Sequence, residues 1–102
     1  MSTDSGVTVV RSDEYHRYEV RVDEELAGFT EFRIEQPGRL RFPETMVIPS
    51  FRGRGLAGIL VAEAMADVAA RGETVVPLCP VVVRYLHEHD VPGLVVDWPE
   101  SR

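Results

Sequence analysis

Apolar and polar residues alternate along His16–Asp23 (HRYEVRVD) and again along Phe29–Glu35 (FTEFRIE), the period of two that marks a strand with one buried face. Glu24–Gly28 (EELAG) between them predicts a hairpin turn. Pro37-Gly38 predicts a second turn, into a third strand over Leu40–Ile48 (LRFPETMVI). Pro43 interrupts that strand. Without an N–H it belongs at an edge, at a bulge, or where two strands separate. The period then changes: Leu56, Ile59, Leu60, Ala64, Met65 and Val68 recur at helical spacing, which predicts a helix over Gly55–Arg71. Glu63, Asp67 and Arg71 form a narrow polar stripe on it, and Gly72 stands where a left-handed residue would end it. A helix this apolar should lie deep against a sheet.

Glu73–Leu78 (ETVVPL) reads as a short strand, parallel to the third because a crossover helix joins the two. After it the signals compete. Val81-Val82-Val83 favours strand by propensity, yet Cys79-Pro80 suits a cap and first turn, and Val82, Tyr85 and Leu86 share helical spacing. The expectation is a short helix ending at His89, then a turn at Val91-Pro92-Gly93 and a last strand over Leu94–Asp97. Residues 1–7 and 98–102 read as loose tails, and no element is assigned between 8 and 15. The chain is therefore expected to be one α/β (α+β) domain over residues 1–102. Its mixed sheet would begin with a three-stranded antiparallel meander, followed by a crossover helix, a parallel strand and a short C-terminal helix.

At 102 residues the chain can bury one core. It shows no run of transmembrane length and no signal-peptide pattern, and its lone Cys79 cannot form an internal disulfide. The cytosol is the default compartment, with no membrane partner. A net charge of −6 argues against nucleic acid, whose phosphates are bound by clustered cations. The chain has no lysine, so Arg52 and Arg54 form a local positive pair in a negative protein.

That pair lies in Val47–Gly58 (VIPSFRGRGLAG), a strand end, a basic glycine-rich turn and the start of the best helix. The first N–H groups of a helix lack intrahelical partners and carry the positive end of its dipole. Gly53, Gly55 and Gly58 would let an anion approach them, unless the glycines only serve to pack the helix. No lysine-containing phosphate loop is possible, and the spacing is not that of a dinucleotide-binding turn.

Arg52-Gly53-Arg54-Gly55-Leu56-Ala57 fits R/Q-x-x-G-x-G/A, and in this setting the chain resembles the GNAT superfamily of N-acetyltransferases. It looks most like a short subgroup in which a meander leads into the acetyl-CoA loop and then a P-x-C-P segment, here Pro77-Leu78-Cys79-Pro80. The resemblance implies that backbone N–H groups from Arg54 to Gly58 hold the pyrophosphate of acetyl-CoA. The implied cofactor-binding residues are Val47, Arg52, Gly53, Arg54, Gly55, Leu56, Ala57 and Gly58. The pantetheine arm would lie along the third strand, in a gap that Pro43 would help to open. Gly55→Val would then abolish binding and leave the protein folded.

Three residues are catalytic candidates, and no metal site is expected. Glu44, if alternation holds, shares a face with Leu40, Phe42 and Met46, surroundings that would suit a general base; the alternative is a surface glutamate beyond a bulge. The subgroup reads His-Thr-Glu where this chain has Glu44-Thr45-Met46. Cys79, between a strand and a helix start, sits where the dipole favours a thiolate, or else is a buried small hydrophobe. Tyr85 falls near a family tyrosine that protonates the departing thiolate, or else is a core or rim aromatic. His87 and His89, two apart, read as solvated residues near a helix end. The resemblance implies N-acetyl transfer to an amine of a small molecule or protein, by a monomer or homodimer. The competing readings are a non-catalytic acyl-CoA-binding module and a protein-interaction scaffold using Trp98 and Val91–Val96.

Overall fold

In the computed structural model, which describes residues 6–99, six strands form one sheet in sequence order. β1 (Val7–Ser12), β2 (Arg17–Val22), β3 (Glu25–Gln36) and β4 (Arg39–Val47) are antiparallel neighbours. β5 (Thr74–Pro77) runs parallel to β4, and β6 (Val95–Val96) parallel to β5. The connections are α1 (Leu56–Ala70) and α2 (Pro80–Glu88). Two successive crossovers step the same way along the sheet, which with the usual right-handed connection places both helices on one face, and the two helices touch.

The expected mixed α/β architecture holds, with one additional strand. Val7, assigned above to a tail, is buried and opens β1, which adds a fourth antiparallel strand at the sheet edge. The remainder of the expected N-terminal tail, 1–5, and residues 100–102 lie outside the described residues. Arg11 on β1 explains the added strand: it donates to Glu73 at 2.9 Å and to the Tyr18 hydroxyl at 3.1 Å, with its guanidinium 4.8 Å from the Phe32 ring centre. Tyr18 in turn donates to Asp67 at 2.7 Å, and Arg71 closes on the same carboxylate at 2.7 Å. One polar network thus ties β1, β2 and the C-terminal end of α1 to the residue that leads into β5. Asp67 and Arg71 pair across one helical turn, as their spacing allowed, but Arg11–Glu73 and Tyr18–Asp67 join residues far apart in sequence, which periodicity could not reveal.

The turn between β2 and β3 is tighter than EELAG suggested. Asp23 and Glu24 both have positive φ, 50° and 72°, so the chain reverses there and β3 begins at Glu25. Gly28 is therefore a strand residue: a β-carbon on it would lie 2.6 Å from the Met46 carbonyl oxygen. β4 passes β3 this closely because residue 28 has no side chain.

α1 is apolar on nearly all sides because its buried residues, Leu56, Leu60, Val61, Ala64, Met65 and Val68, face five strands and α2. Its end follows expectation. Gly72 has φ +70°, its N–H reaches the Ala69 carbonyl at 3.0 Å, and the Glu73 N–H reaches Val68 at 3.1 Å. The expected last strand over Leu94–Asp97 is reduced to Val95–Val96, with Asp97 bonded to Arg39, and Trp98, expected in a loose tail, stacks on His87 with centroids 4.7 Å apart. Among the described residues no helix is long and apolar enough to cross a membrane.

Candidate active site

β4 and β5 pair from Arg39–Thr74 only as far as Phe42–Pro77. At that point the N–H groups of Leu78 and Cys79 both donate to the Phe42 carbonyl, at 3.1 and 2.9 Å, and the strands part. Pro43 is the next residue of β4. With no N–H to offer a neighbour, it sits where the strands separate, as its chemistry required. Beyond this fork β4 remains paired only with β3.

The β4 side of the fork has no strand beside it. The Ile48 N–H bonds to Ala27 at 2.8 Å, and an antiparallel ladder alternates, so Met46 and Glu44 turn their backbone groups toward β3. Thr45 and Val47 accordingly turn theirs into the gap. Arg52 spans the mouth, its Nε donating to the Val47 carbonyl at 3.1 Å. Arg54 lies over the ring of Phe51, 5.3 Å from its centre, and Phe51 is buried beneath the turn.

Gly53 and Gly55 take φ of 82° and 74°, which bends the chain from a short 3-10 turn (Pro49–Phe51) into α1. Gly55 is the N-cap, and no side chain caps the helix. The first backbone bond into the helix joins the Ile59 N–H to the Gly55 carbonyl at 3.3 Å. The N–H groups of Leu56, Ala57 and Gly58 are left over, at the positive end of a fifteen-residue helix. The Leu56 side chain goes into the core, so its contribution here is its backbone. Gly58 does not serve close packing, because a β-carbon there would meet no atom within 4 Å.

That open space belongs to a cleft of about 720 Å³ between the helices, lined by Gly55, Ala57, Gly58 and Ala62 of the α1 side and by Val81, Arg84, Tyr85, Glu88 and His89 of the α2 side. A second cleft of about 280 Å³ lies across the turn, bounded by Val47, Phe51, Arg52, Gly53 and Leu56. Gly55 and Ala57 line both. The small residues at 55, 58 and 62 leave the room, and their spacing of three and four was visible in the sequence. The contributions of Arg84, Glu88 and His89 were missed, although they share helical spacing with Val81 and Tyr85.

The expected catalytic residues separate. Glu44 does not share a face with Leu40 and Phe42. Between Glu31–Glu44 and Arg33–Arg41 the register slips, so three steps on β4 match two on β3 and the alternation inverts across Pro43. Thr45 consequently takes the helix side, opposite buried Thr30, whereas Glu44 and Met46 are exposed on the uncovered face. Cys79 lies at the fork, buried, and is the N-cap residue of α2. Its thiol donates to Thr45 Oγ1 at 3.3 Å, and that oxygen is 2.9 Å from Thr30 Oγ1. Tyr85 lines the large cleft with His89 stacked on it, centroids 4.2 Å apart. His87 and His89 are both exposed, but each has an aromatic partner.

The residues of the fork and turn fit a ligand with a diphosphate and an extended amide arm: leftover N–H donors, clearance at Gly58, and a strand edge facing a gap. A family model described as GCN5-related N-acetyl-transferase matches residues 17–92, from the first residue of β2 to the turn after α2. The chain belongs to this family. Among solved structures, a ribosomal-protein-alanine N-acetyltransferase from Brucella melitensis biovar Abortus 2308 is similar at 24% identity and a TM-score of 0.43, over 81% of this chain and 50% of that one. The chain thus spans half the length of that acetyltransferase. No protein with a curated description matches the sequence. Within the GCN5-related family assignment, the match takes in the fork, the glycine turn and both helices, and leaves out β1.

Proposed function

We propose that the chain is an acetyl-CoA-dependent N-acetyltransferase that acetylates an amine of a small molecule or protein. The observation that carries the reading is the set of uncapped N–H groups at Leu56–Gly58, facing a glycine-lined cleft beside the fork of β4 and β5. The N–H groups from Arg54 to Gly58 would hold the pyrophosphate, with Arg52 and Arg54 adding charge. Thr45 and Val47 would hydrogen-bond the pantetheine amides in place of the absent strand. Bound acetyl-CoA supplies the thioester, and the protein supplies position and electrostatics.

Cys79 and Tyr85, at the start and middle of α2, are the groups available to the thioester sulfur from the helix side. Glu44 is exposed on the other face beside the fork, where its carboxylate would attract an acceptor amine approaching from that side. Direct attack by the amine needs no covalent enzyme intermediate. Thermal melts with acetyl-CoA and CoA test the cofactor: ligand at about 100 Kd adds roughly 2.7 kcal/mol. Absence of any shift well above micromolar concentrations would sink the reading.

The exposure of Glu44 and the presence of Met46 favour a second reading, a module that binds acyl-CoA without turnover. It predicts binding, no acetyl transfer on a panel of amines, and unchanged affinity in Glu44→Ala. Acetyl transfer that collapses in Glu44→Ala with binding intact excludes it.

A further inference from the structure

On the sheet face that the helices leave bare, most charges are paired. Glu19 takes Arg17 and Arg21, each at 2.8 Å, and Glu35 and Asp97 share Arg39. Four residues of β3 and β4 stay largely outside this pairing. Glu31 stands directly opposite Glu44, and Arg33 directly opposite Arg41. Among the described residues, Glu31, Glu44 and Arg33 form no ion pair. Arg41 reaches only Glu35, at 3.5 Å, and Glu35 already holds Arg39 at 2.9 Å. The Nε of Arg41 is buried and has no acceptor.

Like charges directly opposite each other destabilise a sheet. Here two such pairs of opposite sign are neighbours on one face, and they do not neutralise each other. We propose that Arg33 and Arg41 form an anion subsite for the acceptor, so that the substrate is a primary amine carrying a carboxylate or phosphate. This assignment rests on the acetyltransferase reading and names its substrate class.

Glu44 stands two residues past Phe42, where β4 and β5 part, and Glu31 faces it from β3. An amine bound there is beside the fork. Arg33 follows Glu31 by two residues on the same face, and a strand rises about 3.4 Å per residue, so the anion lies about 7 Å from the amine. Guanidinium groups accept carboxylate and phosphate oxygens in the same forked geometry, and the unmet Arg41 Nε–H is one such donor. A cleft of about 440 Å³ runs past Glu31 and Arg33 to Tyr15 and His16, with room for the rest of the acceptor. A polyamine, by contrast, would meet both arginines with like charge.

An ammonium drawn to the carboxylates gives one proton to solvent. The neutral nitrogen then bonds the acetyl carbon as the C–S bond breaks, and its second proton ends on the coenzyme sulfur. The amide product has no positive charge left for Glu31 and Glu44, which favours its release.

NMR titrations of the intact, CoA-loaded protein with δ-aminovalerate, γ-aminobutyrate, β-alanine, aminobutyl phosphate and pentylamine test the subsite. δ-Aminovalerate, whose length spans the two charged rows, should bind about tenfold more tightly than pentylamine, with the shorter acids weaker in order. Aminobutyl phosphate decides between the anions: the tighter of the two names the group. Arg33→Gln should bring the best anionic acceptor down to the level of pentylamine. Its melting temperature should hold or rise, because one of two opposed cations is gone. Arg41→Gln should lower affinity likewise; if it fails to fold, Arg33→Gln decides alone, since Arg33 is exposed. Equal wild-type affinity for pentylamine and the anionic acceptors, or a preference that survives Arg33→Gln, overturns the subsite. Thermal melts with CoA separate the two failures. A CoA shift without an anion preference sinks this assignment alone, and no CoA shift sinks the acetyltransferase reading with it.

Discussion

Replacing Gly58 by alanine and by leucine sets fold stability against cofactor binding. Gly58 is the third residue of α1, it is exposed, and space within 4 Å of its would-be β-carbon is empty. Its φ is not in the left-handed region, unlike those of Gly53 and Gly55. A helix glycine costs about 0.5–1 kcal/mol relative to alanine. Gly58→Ala should therefore raise stability by about that much, which for a chain of this size moves the melting temperature up by roughly 2–8 °C. The same methyl projects into the cleft beside the leftover N–H groups, and a leucine would fill much of the approach. Losing one hydrogen bond to a charged group costs about 1.5–3 kcal/mol. CoA affinity in Gly58→Leu should thus fall at least tenfold, with the alanine variant between.

Melting with and without CoA reads both quantities in one experiment. A leucine variant that keeps the wild-type CoA shift would refute the placement of the diphosphate. An alanine variant that melts lower than wild type would refute the description of the helix start. Gly55→Val gives no such separation: its φ of 74° strains a β-branched residue whether or not ligand binds, which revises the expectation that this variant stays well folded.

Other outcomes follow from the same geometry. Gly28→Ala drives a methyl to 2.6 Å from the Met46 carbonyl, and urea unfolding should show a loss of about 1–3 kcal/mol. Tyr18→Phe removes the donor to Asp67 and an acceptor for Arg11, and should cost about 1–3 kcal/mol in the same assay. Burial opposes the charges of Glu19 and Asp67, but Arg21 and Arg17 in one case, and Tyr18 and Arg71 in the other, outweigh it and hold both carboxyls below their usual 4.5 and 3.8. Stability from these groups is present above those values and lost as pH falls through the lowered ones, so urea midpoints should drop on acidification and drop less in Glu19→Gln. Tyr85→Phe should keep CoA affinity and slow acetyl transfer by about 10²–10⁴-fold; unchanged turnover would remove Tyr85 from the chemistry.

The elements that local chemistry dictates were legible in the residues. Alternation marked β2, most of β3 and β4, the helical period marked α1, and Pro80 beside Cys79 marked the start of α2 over a competing β-branched run. Pro43 located the fork because a missing N–H acts at its own position, and the glycines located the turn because positive φ is a property of single residues. The tertiary structure decided what depends on neighbours far along the chain. The bulge between β3 and β4 inverted the face of every later residue of β4, moving Glu44 out and Thr45 in. β1 gained its place from Arg11 reaching Glu73 and Tyr18. Nothing in FTEFRIE marked Thr30; its contact with Thr45, and that of Thr45 with Cys79, required three segments to be packed together. Periodicity records which side of an element meets water, whereas the contents of a site depend on which sides meet each other.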